Sequence, residues 1–238
     1  MPSNNDLIIG MGEVGNTLYT LFTSRGINVS GVDKDTTKSK GIISRPNVLH
    51  ICLPFSDSFV TEVVELIDIY KPGFTIIHSS VKPLTTKMIQ RYSKTSVIYS
   101  PVRGIHKRFL SDVLRYTKFY SNEHDDPIVD KIFKDRFQKS QSVTNPTTLE
   151  IAKVCVDTTY YGLLIAYRKY VDNYCEQFKI DPNQVWEFAK EVQEFLGNRP
   201  IMYNDRLPIG GHCIVPNLEL LIDGMDDVKK IITEWSKL

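Results

Sequence analysis

Three groups of residues in this sequence have types and spacing that can do chemistry. The first is Asp6-Leu-Ile-Ile-Gly10-Met-Gly12-Glu-Val-Gly15, a G-x-G-x-x-G directly after an apolar strand-like run and at the mouth of a helix-like one. In that context the first glycine allows a tight turn, the second lets a pyrophosphate approach the backbone, and the third lets helix and strand pack closely. The phosphates then sit at the helix N-terminus. Gly10, Met11, Gly12, Glu13, Val14 and Gly15 are therefore expected to line a dinucleotide. Asp33 follows 18 residues beyond Gly15, at the end of the next strand-like run. A carboxylate there accepts hydrogen bonds from ribose hydroxyls and repels a 2′-phosphate, which favours NAD over NADP.

The second group is Lys153 with Asp157, four residues apart and hence on one face of a helix. The third is Cys213, in the run Ile209-Gly210-Gly211-His212-Cys213. The four cysteines, at 52, 155, 175 and 213, have no C-x-x-C spacing, so neither a disulfide framework nor a zinc ribbon is expected. His78, His106, His212 and Cys213 lack tight ligand spacing, and no metal site is expected. Arg103, Lys107, Arg108, Arg115 and Lys118 crowd a stretch holding one acid, Asp112. Coming after a strand end, this run is expected to grip an anionic group of a substrate.

These residues need a frame, and the first half of the chain supplies one. Leu7 to Gly10, Asn28 to Asp33, Val48 to Leu53, Thr75 to His78 and Val97 to Tyr99 read as strands, with helices from Val14 to Ser24, Ser58 to Tyr70 and Pro83 to Tyr92 between them. The alternation predicts a parallel, doubly wound α/β sheet of abbreviated Rossmann type. About 14 residues separate Asp33 from the third strand, too few for the usual crossover helix. From Thr147 to about Phe178 there is no proline and apolar residues recur at helical spacing, which predicts one long helix. Asp181-Pro182 then opens a second helix to about Leu196, ending at Gly197-Asn198. A further helix begins at Val215 or Asn217, and another at Asp226. The expected division is a dinucleotide-binding domain over 1–145 and a helical substrate and dimerisation domain over 146–238.

The 238 residues carry 29 Lys plus Arg against 28 Asp plus Glu, so no electrostatic drive toward nucleic acid is expected. Apolar residues make up 42% and charged ones 24%, the balance of an ordinary folded protein. The run Tyr160 to Tyr167 is far short of the roughly 20 residues that span a bilayer. The first residues lack the basic start and apolar core of a secretion signal, giving a cytoplasmic expectation.

The segment Gly210-Gly211-His212-Cys213-Ile214-Val215-Pro216-Asn217 resembles the G-G-x-C-x-P-x-D signature of the UDP-glucose and GDP-mannose dehydrogenase family. Cys52-Leu53-Pro54, then Ser79-Ser80-Val81-Lys82-Pro83-Leu84-Thr85-Thr86 against S-T-V-P-P-G-T-T, then Tyr99-Ser100-Pro101 against S-P-E, and Ala152-Lys153 come in the family's order. The resemblance covers nearly the whole chain, and the family's third, nucleotide-holding domain has no counterpart after Leu238. It implies a double oxidation of an alcohol to a carboxylate, with the aldehyde held on Cys213. Lys153 would stabilise the alkoxide, Ser80 would stand beside the nicotinamide, and Leu53 and Pro54 would line the cofactor. Beyond Ser80, Lys82 and Leu84 in the stretch from Ser79 to Thr86, the sequence departs from the family at four positions. Val102 and His106 replace two acids, Asp157 replaces an asparagine, and Asn217 replaces an aspartate. The last two look like an exchange of Asp and Asn across one site.

Three functions compete at this point. The first is an NAD-dependent oxidation of a sugar or nucleotide-sugar-like alcohol through Cys213. The second is a single hydride transfer of the β-hydroxyacid dehydrogenase type using Lys153, with no need of the cysteine. The third is a non-catalytic NAD-binding module. Tyr160, Tyr161, Leu164, Tyr167 and Val171 give the long helix an apolar face that predicts a homodimer.

Overall fold

Val48–Ile51 and its neighbours are short runs in which nearly every residue is buried, the pattern of strands covered on both faces. The computed structural model describes residues 5–41, 45–104, 108–196, 214–220 and 225–235. Strands β1 (Asn5–Ile9), β2 (Asn28–Val32), β3 (Val48–Ile51), β4 (Phe74–Ile77) and β5 (Ser96–Tyr99) form one parallel sheet in the order β2-β1-β3-β4-β5. This is the predicted doubly wound α/β fold. The order reverses at β1, and in open sheets the crevice at such a switch point is where ligands bind.

Period-2 alternation divides the sheet into two faces. On one, Ile8, Val48, Ile76 and Ile98 pack with Leu18, Leu21 and Phe22 of α1 (Glu13–Ser24), Val113 of α4 (Phe109–Arg115) and Phe133 of α5 (Pro127–Arg136). On the other, Leu7, Ile9, Leu49, Ile51 and Ile77 meet Phe59, Val63 and Ile67 of α2 (Phe59–Tyr70), Ile89 of α3 (Thr85–Tyr92) and Leu149 of α6 (Pro146–Ile151). Between β2 and β3 the described residues of the crossover hold one 3-10 turn, Thr36–Lys38, capped by Asp35, in line with the short spacing.

Sequence reading missed the strands β6 (Lys118–Ser121) and β7 (Ser140–Val143), a parallel pair. Their residues, Lys-Phe-Tyr-Ser and Ser-Gln-Ser-Val, are too short and polar to register as strands by periodicity. Side chains join this pair to the main sheet. The Ser121 Oγ accepts from the Tyr99 N–H at 2.9 Å, and the Ser100 Oγ donates to the Phe119 carbonyl at 2.7 Å.

The chain divides into two units, Met1–Lys153 and Val154–Leu238. In the second, α7 (Tyr160–Gln177) packs Ala166 against Leu218 of α9 (Ile214–Leu218) and Ile232 of α10 (Asp226–Trp235). Helix α8 (Pro182–Leu196) begins as expected, with the Asp181 carboxylate accepting from the Asn183 N–H at 3.0 Å. The predicted stop at Gly197-Asn198 lies outside the described residues. The expected long helix is not uniform, because Ala152–Thr159 forms a π-helical stretch between α6 and α7.

Candidate functional site

The glycine-rich turn occupies the switch point. Gly10 has φ +91°, a left-handed conformation open to glycine, and a Cβ there would lie 2.7 Å from the Cys52 carbonyl oxygen across the crevice. Gly15 lies so close beneath that a Cβ would come within 1.9 Å of the Gly10 carbonyl oxygen. Gly12 is different, because nothing lies within 4 Å of a Cβ placed on it. That open space is the approach an anionic ligand needs, at the N-terminus of α1, whose cap Gly12 makes no side-chain hydrogen bond. Glu13 is exposed and Val14 half-buried in the same turn.

Met11 and Asp33 are tied together. The Met11 N–H donates to the Asp33 carboxylate at 2.6 Å, and the Asp35 N–H donates to its other oxygen at 3.0 Å. These two bonds, that from Asp35 first, hold the Asp33 carboxyl below its usual range, and lone pairs remain on each oxygen for ribose hydroxyls. The Met11 side chain is buried over Gly31 of β2, where a Cβ would meet its sulfur at 2.2 Å. Sequence reading missed two supports of this turn. The Asn16 amide donates to the Met11 carbonyl at 2.5 Å, and the Lys40 ammonium donates to the Asn16 Oδ1 at 3.1 Å. Lys40 is held there by paired backbone bonds with Gly31, 2.8 Å each.

At the neighbouring strand ends, Leu53 is half-buried and Pro54 exposed just beyond β3, and Ser80 is half-buried beyond β4. Burial pushes the Cys52 thiol up to about 12, which makes it an inert side chain under the crevice. Val102 is buried in the apolar cluster with Ile98 and Val113, so that position is core. The basic run does not form one face, a correction to the expected anion grip. Lys118 is buried, Arg108 pairs with Asp112 at 3.2 Å, and Arg103 stacks over Tyr116 at 5.2 Å. Burial of an ammonium demands acceptors, and Lys118 finds them inside the sheet.

Lys153 and Asp157 stand on the π-helical stretch, where the turn is wider than the α-helical spacing assumed from sequence. Rare π turns concentrate at functional sites. Asn217 is half-buried on α9. His106, Lys107, His212 and Cys213 lie outside the described residues. Among the described residues no group of His, Cys, Asp or Glu has the arrangement of a metal site, and no helix is long and apolar enough to cross a membrane.

The most unusual chemistry was not read from sequence. On the α1 side of the sheet, the Arg136 guanidinium of α5 donates to both Asp6 oxygens at 2.6 Å. Asp6 also faces His50 at 3.1 Å, His50 faces His78 at 3.0 Å, and His78 faces Lys118 at 3.2 Å. Burial pushes the Asp6 carboxyl up, but the bonds from His50 and Arg136 outweigh it and hold the group below its usual range. Burial pulls both imidazoles and the Lys118 ammonium below theirs. A sequence signal existed: a histidine inside a fully apolar parallel strand must find a buried partner.

A second missed acid is Glu150 of α6, fully buried. It accepts from the Leu84 N–H at 2.6 Å, and from the Thr86 N–H and hydroxyl at 2.8 and 2.6 Å. These bonds hold Leu84, at φ +75°, in the left-handed cap position of α3. Leu84 is the residue that matches the glycine of the S-T-V-P-P-G-T-T pattern.

No family model matches the chain, and no curated protein matches it by sequence. Solved structures match over nearly its whole length. A UDP-glucose dehydrogenase from the archaeon Pyrobaculum islandicum superposes with a TM-score of 0.77 at 14% identity, over 98% of this chain and 68% of that one. A UDP-N-acetyl-mannosamine dehydrogenase from S. aureus gives 0.72 at 17% identity, over 97% and 68%. A 3-hydroxyisobutyrate dehydrogenase from Mycobacterium tuberculosis gives 0.71 at 12% identity, over 98% of this chain and 91% of that one. At these identities the likeness is one of fold: a Rossmann-like sheet followed by helices.

Proposed function

We propose that this protein is an NAD-dependent oxidoreductase acting on an alcohol of a sugar or nucleotide-sugar-like substrate. The observation that carries this reading is the crevice at β1 and β3. Gly12 leaves a space that a side chain would fill, the N-terminus of α1 faces it, and Asp33 is held ionised beside it. These residues fit a dinucleotide, with Gly10, Gly12, Glu13, Val14 and Gly15 on its phosphates and Asp33 on the adenosine ribose. Met11 supports Asp33 through its N–H, and Leu53, Pro54 and Ser80 line the side toward the nicotinamide. A bound nicotinamide supplies the hydride acceptor.

The chain's own chemistry in this reading is assigned as follows. Lys153 stabilises the oxygen anion formed as the alcohol loses its proton. Cys213 holds the aldehyde as a thiohemiacetal, so that a second oxidation gives a thioester and hydrolysis a carboxylate. Asp157 and Asn217 share the substrate site, and the molecule works as a homodimer through the exposed face of α7. Support for the nucleotide-sugar class is the motif run from Gly210 to Asn217 together with the folds of the two UDP-sugar dehydrogenases.

One observation favours a second reading. The 3-hydroxyisobutyrate dehydrogenase is matched over 91% of its own length, against 68% for the UDP-sugar enzymes. A single hydride transfer using Lys153 without Cys213 is the reading that this likeness of fold supports. A panel of nucleotide sugars, free sugars and hydroxyacids, with NADH counted per substrate, separates the two: two NADH for the first, one for the second. Calorimetry with NAD and NADP tests the cofactor. Asp33→Ala is expected to weaken NAD by about 1–3 kcal/mol and to relieve discrimination against NADP, whereas tighter NADP than NAD binding by the parent protein overturns the assignment.

A further inference from the structure

The Arg136–Asp6–His50–His78–Lys118 chain crosses the sheet strand by strand. Asp6 is on β1, His50 on β3, His78 one residue beyond β4, Ser100 one residue beyond β5, and Lys118 opens β6. The five side chains are 0–5% exposed. Phe22 lies 4.9 Å from the His50 ring and Phe137 lies 5.3 Å from the Lys118 ammonium, so the walls are apolar. Buried donors and acceptors in such surroundings must be matched one to one, which makes the hydrogen count decidable.

Arg136 cancels the charge of Asp6. The Asp6 carboxylate requires a proton on His50 Nε2, and the contact between His50 Nδ1 and His78 Nε2 holds one proton. At the far end, Lys118 Nζ has three partners: the Ser100 carbonyl at 2.7 Å, the Pro101 carbonyl at 2.9 Å and His78 Nδ1 at 3.2 Å. His78 Nδ1 also lies 2.8 Å from the Ser100 carbonyl. Two arrangements are compatible with these contacts: the first bridges His78 Nδ1 and the Ser100 carbonyl, both acceptors, through the Lys118 ammonium, and the second puts a ring proton between them. In one, Lys118 is an ammonium donating to all three acceptors, and both rings are neutral with their protons on Nε2. In the other, Lys118 is a neutral amine donating to the two carbonyls. The His50–His78 pair then carries three ring protons, the last donated from His78 Nδ1 to Ser100. Both arrangements have the same charge.

We propose that Lys118, His78 and His50 hold one exchangeable proton between them, and that this proton fastens together the carboxyl ends of β4 and β5, making Lys118 a positioning residue for the ligand edge. Without it, two acceptors, His78 Nδ1 and the Ser100 carbonyl, face each other with one donor fewer. The strand ends it joins carry Ser79-Ser80 and Ser100-Pro101, the edge next to the crevice. The titratable and charged groups around the proton are Asp6 and Arg136 from β1 and α5, Cys52 beyond β3, and Lys153, whose charge acts on Lys118. Each of the three holders is pushed by burial toward its neutral form, so the proton leaves below the usual ammonium range.

The test is nitrogen-15 NMR of the two imidazoles in the full chain from pH 5 to 10. The expected result is one step in which both rings shift together, between the ordinary imidazole and ammonium ranges. Lys118→Arg, which keeps a cation but cannot release its proton, is expected to remove that step. Independent titration of the two rings, or a step unchanged in Lys118→Arg, overturns the proposal. The wild-type titration decides alone if the variant does not fold. The second arm is NADH affinity against pH, which rests on the dinucleotide reading above. Affinity is expected to fall about tenfold across the ring step in the wild type and to stay flat in Lys118→Arg. A wild-type profile flat through the ring step refutes the positioning role. Absence of NADH binding at every pH refutes the dinucleotide reading, while the ring titration still decides the proton.

Discussion

The glycine-rich turn follows β1 and the buried polar chain starts from it at Asp6, and the two are built by opposite means. At Gly10, Gly12 and Gly15 the fold makes a site by leaving side chains out, so its tolerances are steric. From Asp6 to Lys118 it fills the interior with side chains that carry charge, so its tolerances are electrostatic. Adding a methyl group should therefore damage the first and spare the second, whereas removing a charge should do the reverse.

Removing the Arg136 charge is the largest expected break. Arg136→Met keeps most of the apolar stem but leaves Asp6 buried with only His50 as partner, which should cost about 3–5 kcal/mol in urea unfolding. Arg136→Lys should recover part of this, because a single ammonium restores charge without the paired geometry. A loss under 1 kcal/mol in Arg136→Met would mean that Asp6 is not ionised there.

Acid should find the same region next. Beyond their neutral forms, Lys118, His78 and His50 hold one proton in the folded chain, whereas the unfolded chain below the imidazole range holds three. Groups lowered by folding contribute stability that is present above their unfolded values and lost as pH falls through them. Two extra protons in the unfolded state give a slope of up to ~2.7 kcal/mol per pH unit below about pH 6.5. Asp33 at the turn, half-buried and held below the usual carboxylate range by two backbone N–H groups, should add little between pH 7 and 5. A stability flat between pH 7 and 5 would remove the polar chain from this role.

The turn answers to graded alanines. Gly15→Ala places a Cβ 1.9 Å from the Gly10 carbonyl oxygen and should cost about 1–3 kcal/mol. Gly12→Ala, with extended backbone and nothing within 4 Å, should leave the unfolding midpoint in place and abolish dinucleotide binding. Equal effects of the two on stability would show that the space at Gly12 is not free.

These two regions also differ in how far the sequence revealed them. The turn is local: Gly10, Gly12, Gly15 and the distant but strand-ending Asp33 follow from spacing on a parallel sheet. The polar chain is assembled from five places up to 130 residues apart, Asp6 to Arg136, and no periodicity joins them. His50 and Lys118 each look ordinary alone, one as a polar residue in an apolar strand and the other as part of a basic run. Likewise β6 and β7 escape notice because a four-residue polar strand is specified by its neighbours, here Tyr99 and Ser100, more than by its own composition. The spacing of Lys153 and Asp157 predicts a regular helix, and the π-helical turn beneath them has no sequence signature.

Leu84 combines both modes of construction and gives the smallest and most diagnostic effect. Its backbone is left-handed at φ +75°, a conformation that costs a branched side chain about 1–2 kcal/mol, and its side chain is exposed, so it returns little by burial. Glycine adopts that conformation freely but loses about 0.5–1 kcal/mol more chain entropy on folding. Leu84→Gly should therefore stabilise the first unit by about 0.5–1 kcal/mol, seen as a raised unfolding midpoint. The strain persists because Glu150 accepts from the Leu84 and Thr86 backbone, so Glu150→Gln should cost about 1–2 kcal/mol in the parent protein. With glycine at 84 the backbone needs less holding, and the same Glu150→Gln change should cost less. Strict additivity of the two substitutions would show that Glu150 caps α3 without restraining Leu84.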